Sequence, residues 1–413
     1  MKIYCLLLDA FPYNDQFEKL AQEKGLTFLT QIGHSHTKPT ITSMLTGRTP
    51  LDIMPKGVGY HSLEDHENFC EWRKDKNISL VDILKDKNYI VQNNNRNGMF
   101  CRDILGFSCE GVAINPNHVQ ALENGDYYFD AIKEIERYSH VRLSESNPDS
   151  NGSFKGFSYP DKCKAWYDNE KEKIKALQES DENILYIHQS HHWGATHGVG
   201  WSPPTVSKEH AIHHTMDWLS NWDFDEPDSL FWIFCDHGVI HPNENPTIYP
   251  NSYMSWALVK DNTANPLSIG RHIIHPTDFY ATVLKKIEAE NFDLGRSSAI
   301  DNPLDLERIY ISEDARGWVN HMYTTSFSAL KVKNTNTEGY PNEILQATHF
   351  KSDMVKGNST IPSSDLRLLK YYFEKNHLYH NQTMDGKKYK NITDPSKRYE
   401  YDDMLKELEN IIW

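Results

Sequence analysis

The stretch KIYCLLLDAFPYNDQFEKLAQEKG, residues 2–25, decides how the chain is read. It opens on a short apolar, partly β-branched run that stops at a carboxylate, Asp9. It continues into DQFEKLAQEKG, whose apolar spacing is helical and whose end is marked by Gly25. A strand followed by a helix is the predicted order. NISLVDILKDKNYIVQNNN, residues 77–95, repeats the alternation in reverse, a helix with Leu80, Val81 and Ile83 inward and then a strand. Such alternation predicts βαβ units and a mostly parallel sheet.

Three further apolar runs, NILYIHQSHH (183–192), SLFWIFCDHG (229–238) and SYMSWALVKDN (252–262), extend the sheet, with EHAIHHTMDWLSNW (209–222) as a helix before the second. Between residues 142 and 161 the chain turns polar and rich in Ser, Asn, Gly and Pro, the composition of a surface excursion, either a lid or a plain insertion. After HPTDFYATVLKKIEAENFDLGRSS (275–298) the character changes. RIYISED, FSALKVKN and LRLLKYYFEKNHLYHN predict a smaller α+β region of hairpins. The closing EYDDMLKELENIIW places Tyr401, Met404, Leu405, Leu408, Ile411 and Ile412 on one helical face.

A chain of 413 residues exceeds what one core normally serves, and 38% hydrophobic with 24% charged residues is a folded composition. The expected division is a domain over 1–300 and a small C-terminal subdomain over 301–413. A formal charge of −15 with no Lys/Arg block argues against a nucleic-acid groove. No run approaches a membrane span, and the opening apolar run is too short for a signal core, so a soluble, cytoplasmic protein is expected. The 6 cysteines show no CxxC spacing and read as reduced, mostly buried thiols.

In an open parallel sheet, ligands bind at the carboxyl ends of the strands. Polar residues placed directly after apolar runs are therefore the ones to collect. These are Asp9, then Asp236 and His237 with Gly238, then His188, His191 and His192. Two carboxylates and a neutral imidazole suit a divalent Zn²⁺ or Mn²⁺ ion. The nucleophile candidate comes from HTKPTITSMLTGRTP, residues 36–50, a loop entering a helix with Thr37 just before the first turn and Pro39 near the first helical position. Free N–H groups at a helix start favour an anion, and a Thr hydroxyl attacks at neutral pH only beside a metal or a base. The plain alternative is that Thr37 caps the helix.

The order of LLLDAF, TKPTITSMLTGRTP and FCDHG resembles that of the alkaline phosphatase superfamily, and its sulfatase-like branch most closely. HPTDFYATVLKKI with DLGRSS after it, and the C-terminal KNITDPSKRYEYDDMLKELENII, are similar to later segments of sulfatases, leaving residues 51–180 without a counterpart. The resemblance implies an α/β fold, a three-layer α/β/α alkaline-phosphatase-like domain with a smaller C-terminal α+β subdomain. It implies Asp9, Asp236 and His237 as metal ligands, with Thr37 as both nucleophile and metal-bound oxygen. Thr37 stands where sulfatases carry the Cys or Ser that becomes formylglycine, and a Thr cannot be converted in that way. The Thr spelling looks like phosphodiesterase and phosphonate monoester hydrolase members, which form a phosphothreonine.

Ala10 and Ile41 depart from the second Asp and the Arg usual in sulfatases. The implied activity is metal-dependent hydrolysis of a small anionic phosphoester or phosphonate ester, with His192 assisting the leaving group and His188, His191, His241 and Lys38 as further substrate contacts. One metal site is expected; a second would need more histidine ligands, and His275 reads as structural. A phosphotransferase or a sulfatase-like esterase is the alternative among enzymes. A non-catalytic metal- or anion-binding protein is the alternative of another class. Arg48 is expected to tie the helix end to carboxylates.

Overall fold

The computed structural model describes residues 1–8, 11, 13–35, 37–49, 52, 79–94, 171–190, 208–238, 253–289, 291–316, 323–335, 341–350, 366–372, 388–391 and 399–412. The polar stretch 142–161 lies outside them. The opening segment folds as its sequence predicts. Strand β1 (Lys2–Leu8) is apolar on both faces and buried almost throughout, as a central parallel strand must be. Helix α1 (Asp15–Lys24) starts at Asn14, whose side chain accepts the Gln16 amide at 2.9 Å, and ends at Gly25 with φ 64°.

The remaining strands of the first sheet are β2 (Thr27–Ile32), β3 (Ile90–Asn94), β4 (Ile184–Ser190), β5 (Ser229–Phe234), β6 (Met254–Asp261) and β7 (Ile273–Ile274). They form a 7-stranded sheet in the order β3-β4-β1-β5-β6-β2-β7. All neighbours run parallel except β6, which is antiparallel to both β5 and β2. The mostly parallel sheet is as expected, while β2 and β7 were not anticipated. Buried Thr30 and Gln31 break the apolar run that would have signalled β2.

Helices cover both faces. On one, α2 (Thr37–Thr46), α3 (Leu80–Asp86) and α5 (Asp278–Lys286) bury Ile41, Leu45, Leu84, Phe279 and Val283 against Cys5, Leu7, Trp232 and Phe234. On the other, α1, a helical segment over 171–179 and α4 (Lys208–Leu219) bury Phe17, Leu177 and Trp218 against Tyr4, Leu6, Phe231 and Ile233. Strand alternation sorts the side chains between these two cores. The result is a three-layer α/β/α arrangement.

The second sheet has 5 strands in the order β12-β11-β10-β9-β8. These are β8 (Ile309–Arg316), β9 (Tyr323–Thr335), β10 (Pro341–Phe350), β11 (Leu366–Tyr372) and β12 (Lys388–Asn391), all antiparallel. One of its faces packs Tyr310, Leu330, Val332 and Ile344 on Ile32, Tyr253, Met254 and Ile273, so the two sheets share a core. The other face receives α6 (Asp402–Ile412) through Tyr401, Met404, Leu405 and Leu408. That face is the one the sequence periodicity marked as far as Leu408, and the side chains of Ile411 and Ile412 lie outside the described residues.

A charged cluster ties the layers together. Asp278, fully buried at the start of α5, accepts both guanidinium arms of Arg308 at 2.7 Å and the amides of His275 and Ser298 at 3.0 and 2.9 Å. Arg296 reaches Asp52 at 2.9 Å and Glu407 of α6 at 3.2 Å.

Candidate active site at the carboxyl edge of the sheet

The site is assembled where β1 and β5 end. The two strands are parallel neighbours, with Leu7 beside Phe234, so both carboxyl ends reach the same edge. Past Phe234 only the Cys235 amide still bonds β6, at the Trp256 carbonyl, and Cys235, Asp236 and His237 form the turn into Gly238. Asp236 is wholly buried and His237 is 2% exposed.

The local bonds fix the chemistry of this pair. His237 Nδ1 lies 2.8 Å from the Gly238 carbonyl, which can only accept, so Nδ1 carries the proton. Nε2, the nitrogen left for a metal, sits 3.6 Å from Asp236 Oδ2. A carboxylate and an imidazole nitrogen withdrawn from water side by side form a donor set suited to a divalent transition metal. Among the described residues no group of three His, Cys, Asp or Glu side chains gathers. Asp9, the third ligand expected, comes directly after β1 and lies outside those residues.

Helix α2 brings the hydroxyl. Thr37 is its first residue and is 7% exposed, Pro39 sits in the first turn where an N–H has no helical partner, and no acidic side chain occupies that turn. The start of α2 is held at the end of β5 by Thr40, whose Oγ1 donates to the Asp236 carbonyl at 3.0 Å. Residues three apart share a helix face, so Thr37 and Thr40 lie on the same side of α2. The structure therefore sets the first turn of α2, which begins at Thr37, beside the Asp236–His237 turn.

His188 goes elsewhere. It is fully buried, stacks on Trp218 with ring centroids 4.6 Å apart, and meets the Tyr186 hydroxyl through Nδ1 at 3.1 Å. That is the α1 and α4 face, with the sheet between His188 and α2. The Lys38 backbone lies in the first turn of α2. Its side chain, with His191, His192 and His241, lies outside the described residues.

Behind α2 stands a polar layer that sequence reasoning did not find. His34 meets Ser43 Oγ through Nε2 at 2.8 Å and accepts the Glu313 amide on Nδ1 at 3.1 Å, while the Ser35 amide donates to the Glu313 carbonyl at 3.1 Å. The loop that delivers Thr37 is thus stapled to β8. His275 is held on both nitrogens, by Thr277 and by the Ile311 carbonyl, each at 3.0 Å. Burial, with the positive charge of Arg308, lowers His275 to about 3, and burial beside His275 pushes His34 well below the ordinary histidine value. Both rings are neutral and structural. Each ring has one partner near in sequence, Ser43 or Thr277, and one on distant β8, and no local motif announces the pair.

At its other end α2 closes on Gly47, with φ 66°. Gly47 accepts the Arg296 amide at 2.9 Å, Arg48 pairs with Asp293, and a Cβ on Gly295 would fall 2.7 Å from the Gly47 carbonyl. LTGR and LGRSS, distant in sequence, are one interlocked unit.

Solved structures with this architecture were found. A protein in the alkaline phosphatase superfamily from Vibrio parahaemolyticus superposes with a TM-score of 0.51 at 12% identity, covering 99% of this chain and 86% of that one. The chain has the fold of the alkaline phosphatase superfamily. Phosphonate monoester hydrolases are also similar to it: that of Agrobacterium radiobacter at TM-score 0.48 and 10% identity, covering 99% and 95% of the two chains, and that of Silicibacter pomeroyi at 0.46 and 10%, covering 99% and 94%. No family model matches the sequence, and no curated protein matches it. Within an alkaline-phosphatase-like fold, the edge where β1 and β5 end is the edge at which open α/β sheets bind ligands. Among the described residues, no helix is long and apolar enough to cross a membrane.

Proposed function

We propose that the protein is a metal-dependent hydrolase of phosphoesters or phosphonate esters that works through a phosphothreonine at Thr37. The observation that carries this reading is the meeting of the α2 start with the Asp236–His237 turn, made by the 3.0 Å bond from Thr40 to the Asp236 carbonyl. Asp236 and His237, with Asp9 and the Thr37 oxygen, would hold a Zn²⁺ or Mn²⁺ ion. When bound, such an ion lowers the pKa of the hydroxyl and withdraws charge from a non-bridging substrate oxygen.

The chain's own residues do the rest. The α2 amides, with no acid in their turn, face the anionic group of the substrate. The Thr37 hydroxyl loses its proton to solvent and its oxygen bonds to phosphorus as the bond to the leaving oxygen breaks, while protonated His192 gives a proton to that oxygen and regains one from the water of the second step. Water then attacks the phosphothreonine, returning Thr37 and releasing phosphate or phosphonate. A Thr at this position, which cannot become formylglycine, favours phosphorus over sulfur.

The test uses metal-stripped protein reloaded with Zn²⁺ or Mn²⁺ and assayed on aryl phosphate, phosphodiester, phosphonate and sulfate esters, wild type beside Thr37→Ala. Turnover of a phosphorus ester that disappears in Thr37→Ala is the expected result. Activity that survives the substitution refutes the nucleophile, and a protein that binds no metal refutes the mechanism.

A further inference from the structure

Beyond the last rung to β6, where the Cys235 amide donates to the Trp256 carbonyl at 2.9 Å, the turn that carries Asp236 and His237 is shaped by side chains, which hold the carbonyls of Cys235, Asp236 and His237. Gln31 of β2, fully buried, donates from Nε2 to the Cys235 carbonyl at 2.9 Å and to Ser255 Oγ at 2.9 Å, which fixes its amide plane. Thr40 of α2, also fully buried, donates to the Asp236 carbonyl at 3.0 Å. Cys235 Sγ donates to the His237 carbonyl at 3.0 Å. Fixing successive carbonyls fixes the peptide planes, and with them the directions in which the carboxylate and the imidazole leave the backbone.

Thr40 differs from the other two because it belongs to the helix that bears Thr37. A Thr inside a helix can turn its hydroxyl back on its own helix, as Thr46 of α2 does to the Thr42 carbonyl at 2.8 Å. The Thr40 hydroxyl reaches across to the end of β5. We propose that Thr40 is a positioning residue that, with Gln31 behind it, sets the Asp236–His237 pair in register with the Thr37 hydroxyl. The inference rests on the metal-dependent reading of the site and adds to it a device for aligning nucleophile and ligands. Outer groups that orient metal ligands carry about 10- to 100-fold in affinity or activity when removed.

The experiment compares wild type with Thr40→Val, which keeps the branched shape without the hydroxyl, with Thr40→Ser, which keeps the hydroxyl, and with Gln31→Leu. Zn²⁺ and Mn²⁺ affinity is read by competition with a chromogenic chelator, kcat and KM on an aryl phosphate, and folding by circular dichroism. The expected result is that folded Thr40→Val loses about 10- to 100-fold in metal affinity and in kcat, with KM little changed. Thr40→Ser recovers both, and Gln31→Leu changes both in the same direction as Thr40→Val. Should Thr40→Val fail to fold, Gln31→Leu against wild type decides the same question. Wild-type affinity and kcat in a folded Thr40→Val, or no recovery by Ser, overturns this inference and leaves the metal reading standing. A wild type that binds neither ion overturns both.

Discussion

Gly47→Ala tests the interlock that ends helix α2, and the structure supplies both its magnitude and its control. Gly47 has φ 66°, a conformation that costs an L side chain roughly 1–2 kcal/mol. A Cβ there would also stand 2.5 Å from Tyr280 Cδ1 and 3.0 Å from both the Leu294 carbonyl and Ser297 Oγ. Tyr280 is fully buried and Leu294 presents backbone, so neither yields freely. Forced overpacking adds about 1–3 kcal/mol, for a total of roughly 2–5 kcal/mol. Gly25 is the control, with φ 64° but only Lys260 Nζ, at 4.0 Å, near its Cβ position. Gly25→Ala therefore costs the backbone term alone. With an unfolding entropy of about 2.1 cal/mol/K per residue over 413 residues, Gly47→Ala lowers the thermal midpoint by roughly 2–6 °C. Calorimetry on the two variants under identical conditions measures the gap. If Gly47→Ala melts no lower than Gly25→Ala, the steric interlock is not what fixes the end of α2.

Thr37→Ser retains turnover while Thr37→Ala falls to the uncatalysed rate, and acid-quenched wild type carries covalent phosphate on the peptide containing Thr37; absence of that adduct under burst conditions counts against the intermediate. Removing Asp278 as Asp278→Asn leaves the buried Arg308 without its charged partner and costs about 3–5 kcal/mol in urea unfolding, whereas a loss below about 1 kcal/mol would mean solvent already screens the pair. Burial holds His275 at about 3 against an unfolded value near 6.5, so the unfolded chain takes up the proton first. Stability is full above about pH 6.5 and declines toward pH 3 by about 1.4 kcal/mol per pH unit for this residue. His275→Gln flattens that slope between about pH 6.5 and 4.5, and an unchanged slope would place the uptake elsewhere.

Apolar periodicity was legible in the sequence, and so were the polar residues that close each apolar run. β1, α1, α3, β5, β6 and α6 all stand where unbroken apolar runs or helical stripes put them. Arg48 meets Asp293, as expected of a residue tying the helix end to carboxylates. The hidden features share one physical cause, polar residues buried through partners distant in the chain. Gln31 serves a carbonyl 204 residues away, and His34 accepts an amide 279 residues away. In β10, Gln346 and Thr348 are buried through Ser328 of β9, at 3.1 and 2.8 Å, so the strand shows little apolar alternation. A buried polar side chain looks in sequence like a surface one until its partner is placed. His188 shows the converse, since its position after an apolar run suggested an open site and its ring is stacked in the core.

Helix α2 is held at its two ends by different physics, and that difference has a consequence for function. Its far end is locked by glycine geometry and close packing, through Gly47, Gly295 and Tyr280, where displacement meets backbone and ring atoms at short range. Its near end is held by directional bonds, through Thr40 to the Asp236 carbonyl and through the stapling of His34 and Ser35 to β8. Steric locking sets the axis of the helix and tolerates little movement. Hydrogen bonds set the fine placement of the first turn, where a change of one hydroxyl alters alignment without disturbing the core. Substitutions at Gly47 should therefore appear mainly in stability, and those at Thr40 mainly in metal affinity and turnover. A fold that separates the two in this way leaves the placement of the first turn of α2 against the Asp236–His237 turn adjustable by single polar residues, while the helix itself stays fixed to the sheet.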